Sequence, residues 1–215
     1  MSLKLFFAPG ACSFVPHSML ELAGVNFEPA MVKLHKGEQR TADYLALNPR
    51  GQVPVLVDDG VVITQIVAIL LHLDAKVPQA HILPASGMER TRALSLLAWM
   101  NNTVHPTFTH FFMPQKFSDD EAAQKAMQRF AVARYRECLA EIEALATEAS
   151  PWLFGEHPGA LDAYALTLLR WGGYAGIDPT SLPATWTLVQ RFAALPAVAL
   201  AVERERLELN VYKAA

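Results

Sequence analysis

The chain has 215 residues, of which 52% are hydrophobic and 18% are charged, and its formal net charge is −3. This length permits one large domain or two small ones, and the composition excludes an intrinsically disordered chain. The near balance of charges excludes a strongly basic surface, so we expect neither nucleic acid nor a membrane as a partner. The apolar run before Pro9 is too short for the core of a signal peptide, and a cytoplasmic location is expected.

The chain has two cysteines, Cys12 and Cys138, which lie far apart in the sequence. There is no CxxC motif, and no group of Cys and His has the spacing of metal ligands. We therefore predict no metal, and in a reducing compartment no disulfide. Cys138 falls inside a long helical pattern and is interpreted as a core residue.

Up to about residue 80, short β-rich runs alternate with helical patterns. The predicted elements are a strand at 3–7, a helix at 16–23 ended by Gly24, a strand at 27–34 and a short helix at 41–47. A hairpin at 53–57 and 61–63 turns at Asp58-Asp59-Gly60, and Thr64 is predicted to cap a helix at 65–75. The order β-α-β-α-β-β-α predicts a small mixed sheet covered by helices.

After a linker at 78–87, only helical patterns follow. They predict helices at 88–112, 119–147, 161–171, 184–194 and 197–207. The acidic start Ser118-Asp119-Asp120-Glu121 is typical of a helix N-terminus, and Gly172-Gly173 is expected to end the third helix.

Cys12 follows a strand and a Pro-Gly turn and stands immediately before a helix. The free N–H groups of a helix start favour a thiolate, so Cys12 is a candidate reactive thiol. An inert buried cysteine is an equally good interpretation. Ser13 is a candidate hydrogen-bond donor to the same sulfur, with a plain helix cap as the alternative.

The segment Asn48-Pro-Arg-Gly-Gln-Val-Pro54 predicts a tight turn that leads into a strand. With a cis Val53-Pro54 bond, the backbone of Val53 would be free to pair with an extended peptide; an ordinary loop-to-strand junction is the alternative. The start of the next helix, at Gln65 and Ile66, offers N–H groups to a carboxylate, unless it is simply a cap.

Taken together, these segments resemble the glutathione transferase family. FFAPGACSFVPH is similar to the opening of the bacterial Beta class, and ALNPRGQVPVLVDDGVVIT is similar to the family's glutathione-site segment with its cis-proline. LFGEHPGALDAYAL resembles the family's folding motif, with Asp162 at the aspartate. The resemblance covers the whole chain. It implies a thioredoxin-like α/β domain at 1–78 and an all-helical domain at 88–215 that carries the electrophile site. It also implies a homodimer in which the helix at 65–74 packs against the long helices of the partner.

The resemblance also implies site residues. The catalytic residues would be Cys12, Ser13 and His105, with glutathione as co-substrate. The residues that bind glutathione and the hydrophobic electrophile would be Lys36, Gln52, Val53, Pro54, Gln65, Ile66, Phe108 and Phe112, and we also expect Phe14 and Trp171 near the electrophile.

Three positions depart from the family pattern. Ile66 replaces a serine or glycine, Gly159 replaces a Ser or Thr cap, and Pro106 replaces a Lys. The implied function is conjugation of glutathione to hydrophobic electrophiles, with thiol–disulfide exchange through Cys12 also open. The alternatives are a glutathione-dependent reductase or peroxidase and a non-catalytic binding protein.

Overall fold

The computed structural model describes residues 2–149 and 151–214. Its first half contains four strands, β1 (Leu3–Phe7), β2 (Phe27–Met31), β3 (Val55–Asp58) and β4 (Val61–Thr64), and three helices, α1 (Phe14–Leu22), α2 (Ala42–Leu47) and α3 (Ile66–Lys76). The sheet order is β2-β1-β3-β4, with β1 and β2 parallel and the other two pairs antiparallel. This confirms the predicted element order and the thioredoxin-like fold. Pro29, which cannot complete a ladder, lies in the edge strand β2, where it is tolerated.

The second half is helical, as predicted. Its helices are α4 (Gly87–Trp99), α5 (His105–Phe112), α6 (Glu121–Glu148), α7 (Ala160–Tyr174), α8 (Pro183–Ala193) and α9 (Pro196–Glu205). Between Lys76 and Gly87, where the linker is predicted, the chain forms only a single 3₁₀ turn, Pro78–Ala80. The outer ends of the predicted domains, residues 1 and 215, lie outside the described ranges.

Several predicted boundaries were wrong. The strand predicted at 27–34 ends at Met31, and the strand predicted from 53 begins at Val55. The pattern at 88–112 is divided by a wide π-helical stretch, Met100–Val104, so α4 and α5 are separate elements. Thr64 is the last residue of β4 rather than a cap, and Gln65 precedes α3 with a φ of 75°. The Gly172-Gly173 pair does not end α7, which continues to Tyr174.

The two halves share one hydrophobic core. Leu5, Phe14 and Leu70 from the first half belong to the same buried cluster as Leu97 and Tyr164 from the second. Helix α1 forms the junction, because it packs against α7 and α9 on one side and α3 on the other. Phe14 is thus a core residue, contrary to its expected place near the electrophile.

The folding motif closes the start of α7. Asp162 is buried, and its carboxylate accepts hydrogen bonds from the N–H groups of Leu153 (3.0 Å) and Gly159 (2.8 Å). Burial raises the pKa of Asp162 to about 6. A Cβ on Gly159 would lie 2.9 Å from the carbonyl oxygen of Ile82, so the Ser or Thr of the family pattern has no room here.

Within the described residues, no single helix has the length and apolar character to cross a membrane. Helices α8 and α9 are together long and apolar enough, by length and composition only, but the chain bends by 93° between them.

Candidate active site

A cleft of about 900 Å³ lies between the two halves. Its floor is the loop between β1 and α1, one wall is the segment around Val53 and the start of α3, and the other wall is α5 and the end of α7. Most of the predicted site residues meet here: Cys12, Gln52, Val53, Pro54, Gln65, Ile66, His105, Phe108 and Phe112. Ser13 and Lys36 are not among the residues that line it.

Cys12 is half-buried at the floor of the cleft, and its thiol donates a hydrogen bond to the carbonyl oxygen of Val53 at 3.6 Å. Burial raises the pKa of the Cys12 thiol to about 12, against smaller opposing effects from its own backbone N–H and from Lys116. Helix α1 begins only at Phe14, so Cys12 lies two residues before it. In the free protein Cys12 is therefore a thiol, which agrees with the buried-cysteine interpretation of the sequence rather than with the thiolate.

The hydroxyl of Ser13 is fully buried and bonded to the backbone of Ala8. It donates to the carbonyl oxygen of Ala8 (3.2 Å) and accepts from the N–H of the same residue (3.0 Å). A hydroxyl has a single proton to donate, so Ser13 has none left for a sulfur. It makes no side-chain cap to α1 either. Its contacts close the turn between β1 and α1.

The helical half fixes the Cys12 loop through both backbone polar groups of Gly10. The N–H of Gly10 donates to Glu205 of α9 (2.9 Å), and its carbonyl oxygen accepts from the indole N–H of Trp171 (2.9 Å). The other oxygen of Glu205 lies 2.7 Å from Nδ1 of His17, and both side chains are fully buried. Burial raises the pKa of Glu205, although His17 opposes the shift.

The wall facing Cys12 carries the predicted cis peptide bond, Val53-Pro54. The carbonyl oxygen of Gln52 accepts hydrogen bonds from Tyr44 (2.9 Å) and Asn48 (2.8 Å), which fix the segment from behind. The backbone of Val53 therefore faces the cleft in a fixed position, where its carbonyl oxygen contacts Cys12.

At the start of α3, Gln65 has a φ of 75° and a ψ of 128°, a backbone conformation that an L-residue rarely adopts. Gln65 is exposed to the cleft, whereas the side chain of Ile66 is buried in the core. Ile66 thus contributes its backbone at the helix start, where free N–H groups suit a carboxylate. Replacing the family's serine with isoleucine adds core contacts in exchange for a hydroxyl.

Basic residues line the cleft near this wall, but not the one predicted. Lys36 is exposed on a 3₁₀ turn outside the lining, and its neighbours Lys33, His35 and Arg40 line the cleft instead. The sequence offers four basic residues within eight positions, and only the turn geometry decides which of them face inward.

His105 lies at the start of α5, with its ring edge-on to Trp171 (centroids 4.8 Å apart). Tyr164 Oη lies 3.2 Å from Oδ1 of Asn101 and 3.0 Å from Nδ1 of His105. When the hydroxyl proton is donated to Asn101, Nδ1–H of His105 is the donor in the second contact. Nε2 then keeps its lone pair. Burial, helped by the charge of Lys116, lowers the pKa of His105 to about 4, so the ring is neutral at physiological pH.

An aromatic stack forms the wall on the helical side. Phe108 stacks against Trp171 (4.8 Å) and Phe112 (5.3 Å), and Tyr174 lies 6.0 Å from Phe112. Several residues that line the cleft or support it were not predicted from the sequence: Asn101, Met113, Lys116, Tyr164, Arg170, Tyr174 and Glu205. The spacing of four between Arg170 and Tyr174 was the one signal present, and it is common on any helix.

A thioredoxin-like sheet with a cis-proline segment facing a thiol, joined to an all-helical half, defines a class of thiol-binding transferases. The family model for the glutathione S-transferase N-terminal domain matches residues 1–75. Glutathione S-transferase GST-4.5 of Xanthomonas campestris pv. campestris is 34% identical over 208 residues, which cover 95% of this chain and all of that protein. The chain therefore belongs to the glutathione S-transferase family of enzymes.

Two solved structures agree with this assignment. The bacterial beta-class glutathione S-transferase of Sphingomonas chungbukensis is 30% identical, with a TM-score of 0.81, over 95% of this chain and all of that one. A sphingomonad glutathione S-transferase, solved in complex with glutathione, is 32% identical with a TM-score of 0.80 and the same coverage. The similarity to bacterial glutathione transferases thus extends over both halves of the fold.

Proposed function

We propose that the protein conjugates the thiol of glutathione to small electrophiles with a hydrophobic body. The observation that carries this proposal is the arrangement of one cleft. The fixed backbone of Val53 before β3, the free N–H groups at the start of α3 and the Cys12 thiol face an aromatic wall from the helical half. A peptide thiol and a flat apolar molecule fit opposite sides of such a cleft.

In this proposal, the cysteinyl part of glutathione pairs with the backbone of Val53, and its γ-glutamyl carboxylate binds at Gln65 and the N–H of Ile66. Lys33, His35 and Arg40 are nearest to its other carboxylate. When glutathione takes the carbonyl oxygen of Val53, the S–H of Cys12 is released from that contact and donates to the glutathione sulfur. A hydrogen bond to a thiolate favours the ionised, nucleophilic form.

His105 is proposed to accept the S–H of the bound glutathione thiol through the lone pair of Nε2, before the thiol ionises and the sulfur accepts from Cys12 instead. With a pKa of about 4, it cannot hold a proton at neutral pH, so the proton of the glutathione thiol passes to solvent. The raised pKa of Cys12 favours conjugation over thiol–disulfide exchange, because exchange needs Cys12 as the attacking thiolate.

Calorimetry of glutathione binding to the wild type, Cys12→Ala and the control Cys138→Ala tests the site. Binding between micromolar and low-millimolar Kd, with turnover of 1-chloro-2,4-dinitrobenzene that survives in Cys12→Ala, is expected. Exchange with hydroxyethyl disulfide that exceeds conjugation and vanishes in Cys12→Ala would instead support the reductase. Absence of glutathione binding would favour a non-catalytic binding protein and contradict the proposal.

We also propose that the chain forms a homodimer through α3 and the long helices of its partner. Leu71 on α3 is 36% exposed and Met88 on α4 is 64% exposed, and large apolar side chains at the surface are typical of interfaces. Light scattering after size exclusion should give twice the mass of one chain. In Leu71→Asp, the measured mass should fall toward that of a single chain. A monomeric wild type would refute this.

A further inference from the structure

The helical side of the cleft carries charge of one sign. Lys116 and Arg170 line it, and no Asp or Glu is among the described residues of the lining. In the described chain, neither cation lies within ion-pairing distance of a carboxylate. Arg170 acts on buried Glu205 only at longer range. Cations without a paired carboxylate beside an apolar surface are suited to an anion with a hydrophobic body.

Arg170 is held in one orientation. Its Nε donates to the carbonyl oxygen of Glu208 (2.8 Å), its Nη2 donates to Tyr174 Oη (3.1 Å), and its guanidinium lies 5.5 Å from the centre of the Tyr174 ring. Nη1 has no acceptor among the described residues, and a Cβ added to Gly10 would lie 2.8 Å from it. The free edge of the guanidinium therefore lies against the loop that carries Cys12. A donor fixed in advance loses little entropy on binding.

Lys116 ends the short turn Pro114–Lys116 that follows α5. It is exposed, lines the same cleft and acts on the ionisation of both Cys12 and His105, which places its charge near the proposed reaction centre. Phe112 is 52% exposed and Tyr174 46% exposed, so both leave part of a ring uncovered at this side. A flat ring bound there would cover apolar surface that the chain itself leaves open.

We propose that the electrophile is an aromatic or unsaturated carboxylate, with its flat body against Phe112 and Tyr174 and its carboxylate bound by Arg170 and Lys116. This inference rests on the proposed function, because it names the substrate class of the same cleft. It requires two anion sites in one cleft. Gln65, Ile66 and the basic residues on that side of the cleft serve the two carboxylates of glutathione, and Arg170 and Lys116 serve the second substrate.

Two electrophiles of nearly equal size test the charge preference: 4-chloro-3-nitrobenzoate and the neutral 4-chloro-3-nitrobenzamide. With either, the glutathione sulfur attacks the ring carbon that bears chlorine, the C–S bond forms, the C–Cl bond breaks, chloride leaves and the thiol proton goes to the buffer. Each kcat/KM is divided by the uncatalysed rate constant, which removes the difference in intrinsic reactivity. We expect the corrected ratio to favour the benzoate by about tenfold or more, as for a charge-assisted hydrogen bond.

Arg170→Gln and Lys116→Gln should each lower that ratio toward one. Arg129→Gln and Lys125→Gln, which remove the same charges from exposed positions of α6 outside the lining, should leave the ratio unchanged. A wild-type ratio near one, or a preference that survives in both cleft variants, overturns the proposal. Loss of the preference in the α6 variants as well would show a general effect of net charge and would also overturn it.

A binding measurement makes the test independent of turnover. Calorimetry compares the conjugates S-(4-carboxy-2-nitrophenyl)glutathione and S-(4-carbamoyl-2-nitrophenyl)glutathione with glutathione itself. The carboxylate conjugate should bind about tenfold more tightly than the amide, and Arg170→Gln should remove the difference. Equal Kd values overturn this inference while glutathione binding leaves the proposed function intact. Absence of glutathione binding refutes the proposed function instead.

Discussion

At the level of single residues, the ionisation state of Cys12 depends on two opposing effects, the dipole of the helix start and burial. The positive end of a helix contributes about 0.3–1 kcal/mol to an anion, less than one pKa unit, and falls off within a turn. Desolvation of a buried group raises an acidic pKa by up to about 3–5 units. Because α1 starts two residues after Cys12, burial prevails and the pKa rises to about 12.

We predict that Cys12 of the free protein reacts slowly with iodoacetamide, and that the rate rises with pH without a plateau in the neutral range. The thiolate fraction at pH 8 would be on the order of one in ten thousand for a pKa near 12. The rate is measured in a Cys138→Ala background, with the further change Cys12→Ala as the blank. A plateau near pH 7 would mean that the helix start outweighs burial.

His105 gives a second prediction about ionisation. Its pKa is lowered to about 4, so its ring should stay neutral from about pH 5.5 upward, where an ordinary histidine titrates near 6.5. The NMR signal of its ring should not shift between pH 5.5 and 8, whereas free imidazole added to the same sample as a reference should titrate. His105→Gln identifies the signal. A transition of that signal near 6.5 would contradict the burial argument.

At the scale of elements, the order of strands and helices followed from periodicity and turn residues, but their ends did not. Gly172 and Gly173 lie inside α7 because neighbours approach there: added Cβ atoms would lie 2.9 Å from Leu139 Cδ1 and 2.8 Å from the backbone N of Tyr212. A glycine pair in the sequence is compatible with a turn or with close packing, and only the fold shows which of the two is present.

The residues of the candidate site also fall into two groups, those that local sequence predicts and those that it does not. The places of Cys12, Val53 and Gln65 in the cleft were predictable because they depend on local backbone, which short motifs record. Arg170 and Glu205 were not, because each acts on the Gly10 loop through contacts that span more than 150 positions of the chain. Such pairs leave no local pattern.

The start of α7 supports a prediction about Gly159. Gly159→Ala should lower the free energy of unfolding by about 1–3 kcal/mol, because its Cβ would crowd the carbonyl oxygen of Ile82 at 2.9 Å. Gly159→Ser carries the same Cβ and regains at most a few tenths of a kcal/mol as a cap, so it should also destabilise. Urea unfolding measures both variants. A more stable Gly159→Ser would show that the two segments move apart without cost.

At the scale of the whole molecule, Glu205 connects the last helix to the first loop. Glu205→Ala leaves the N–H of Gly10 and the ring of His17 buried without their acceptor. Each unsatisfied buried group costs about 1–3 kcal/mol, so the free energy of unfolding should fall by about 2–6 kcal/mol. Glu203→Ala, an exposed change on the same helix, should have little effect. Urea midpoints at equal m-values give the comparison, and equal midpoints for the two variants would refute the coupling.

The two hydrogen bonds to Gly10 also have a consequence for folding during synthesis of the chain. The thioredoxin-like half leaves the ribosome first, with every residue of the Cys12 loop in place, yet the two groups that hold this loop lie in α7 and α9. In a nascent chain that has not reached Glu205, the Cys12 loop lacks the acceptor for the N–H of Gly10. Synthesis of α9 is thus the step that completes the floor of the cleft.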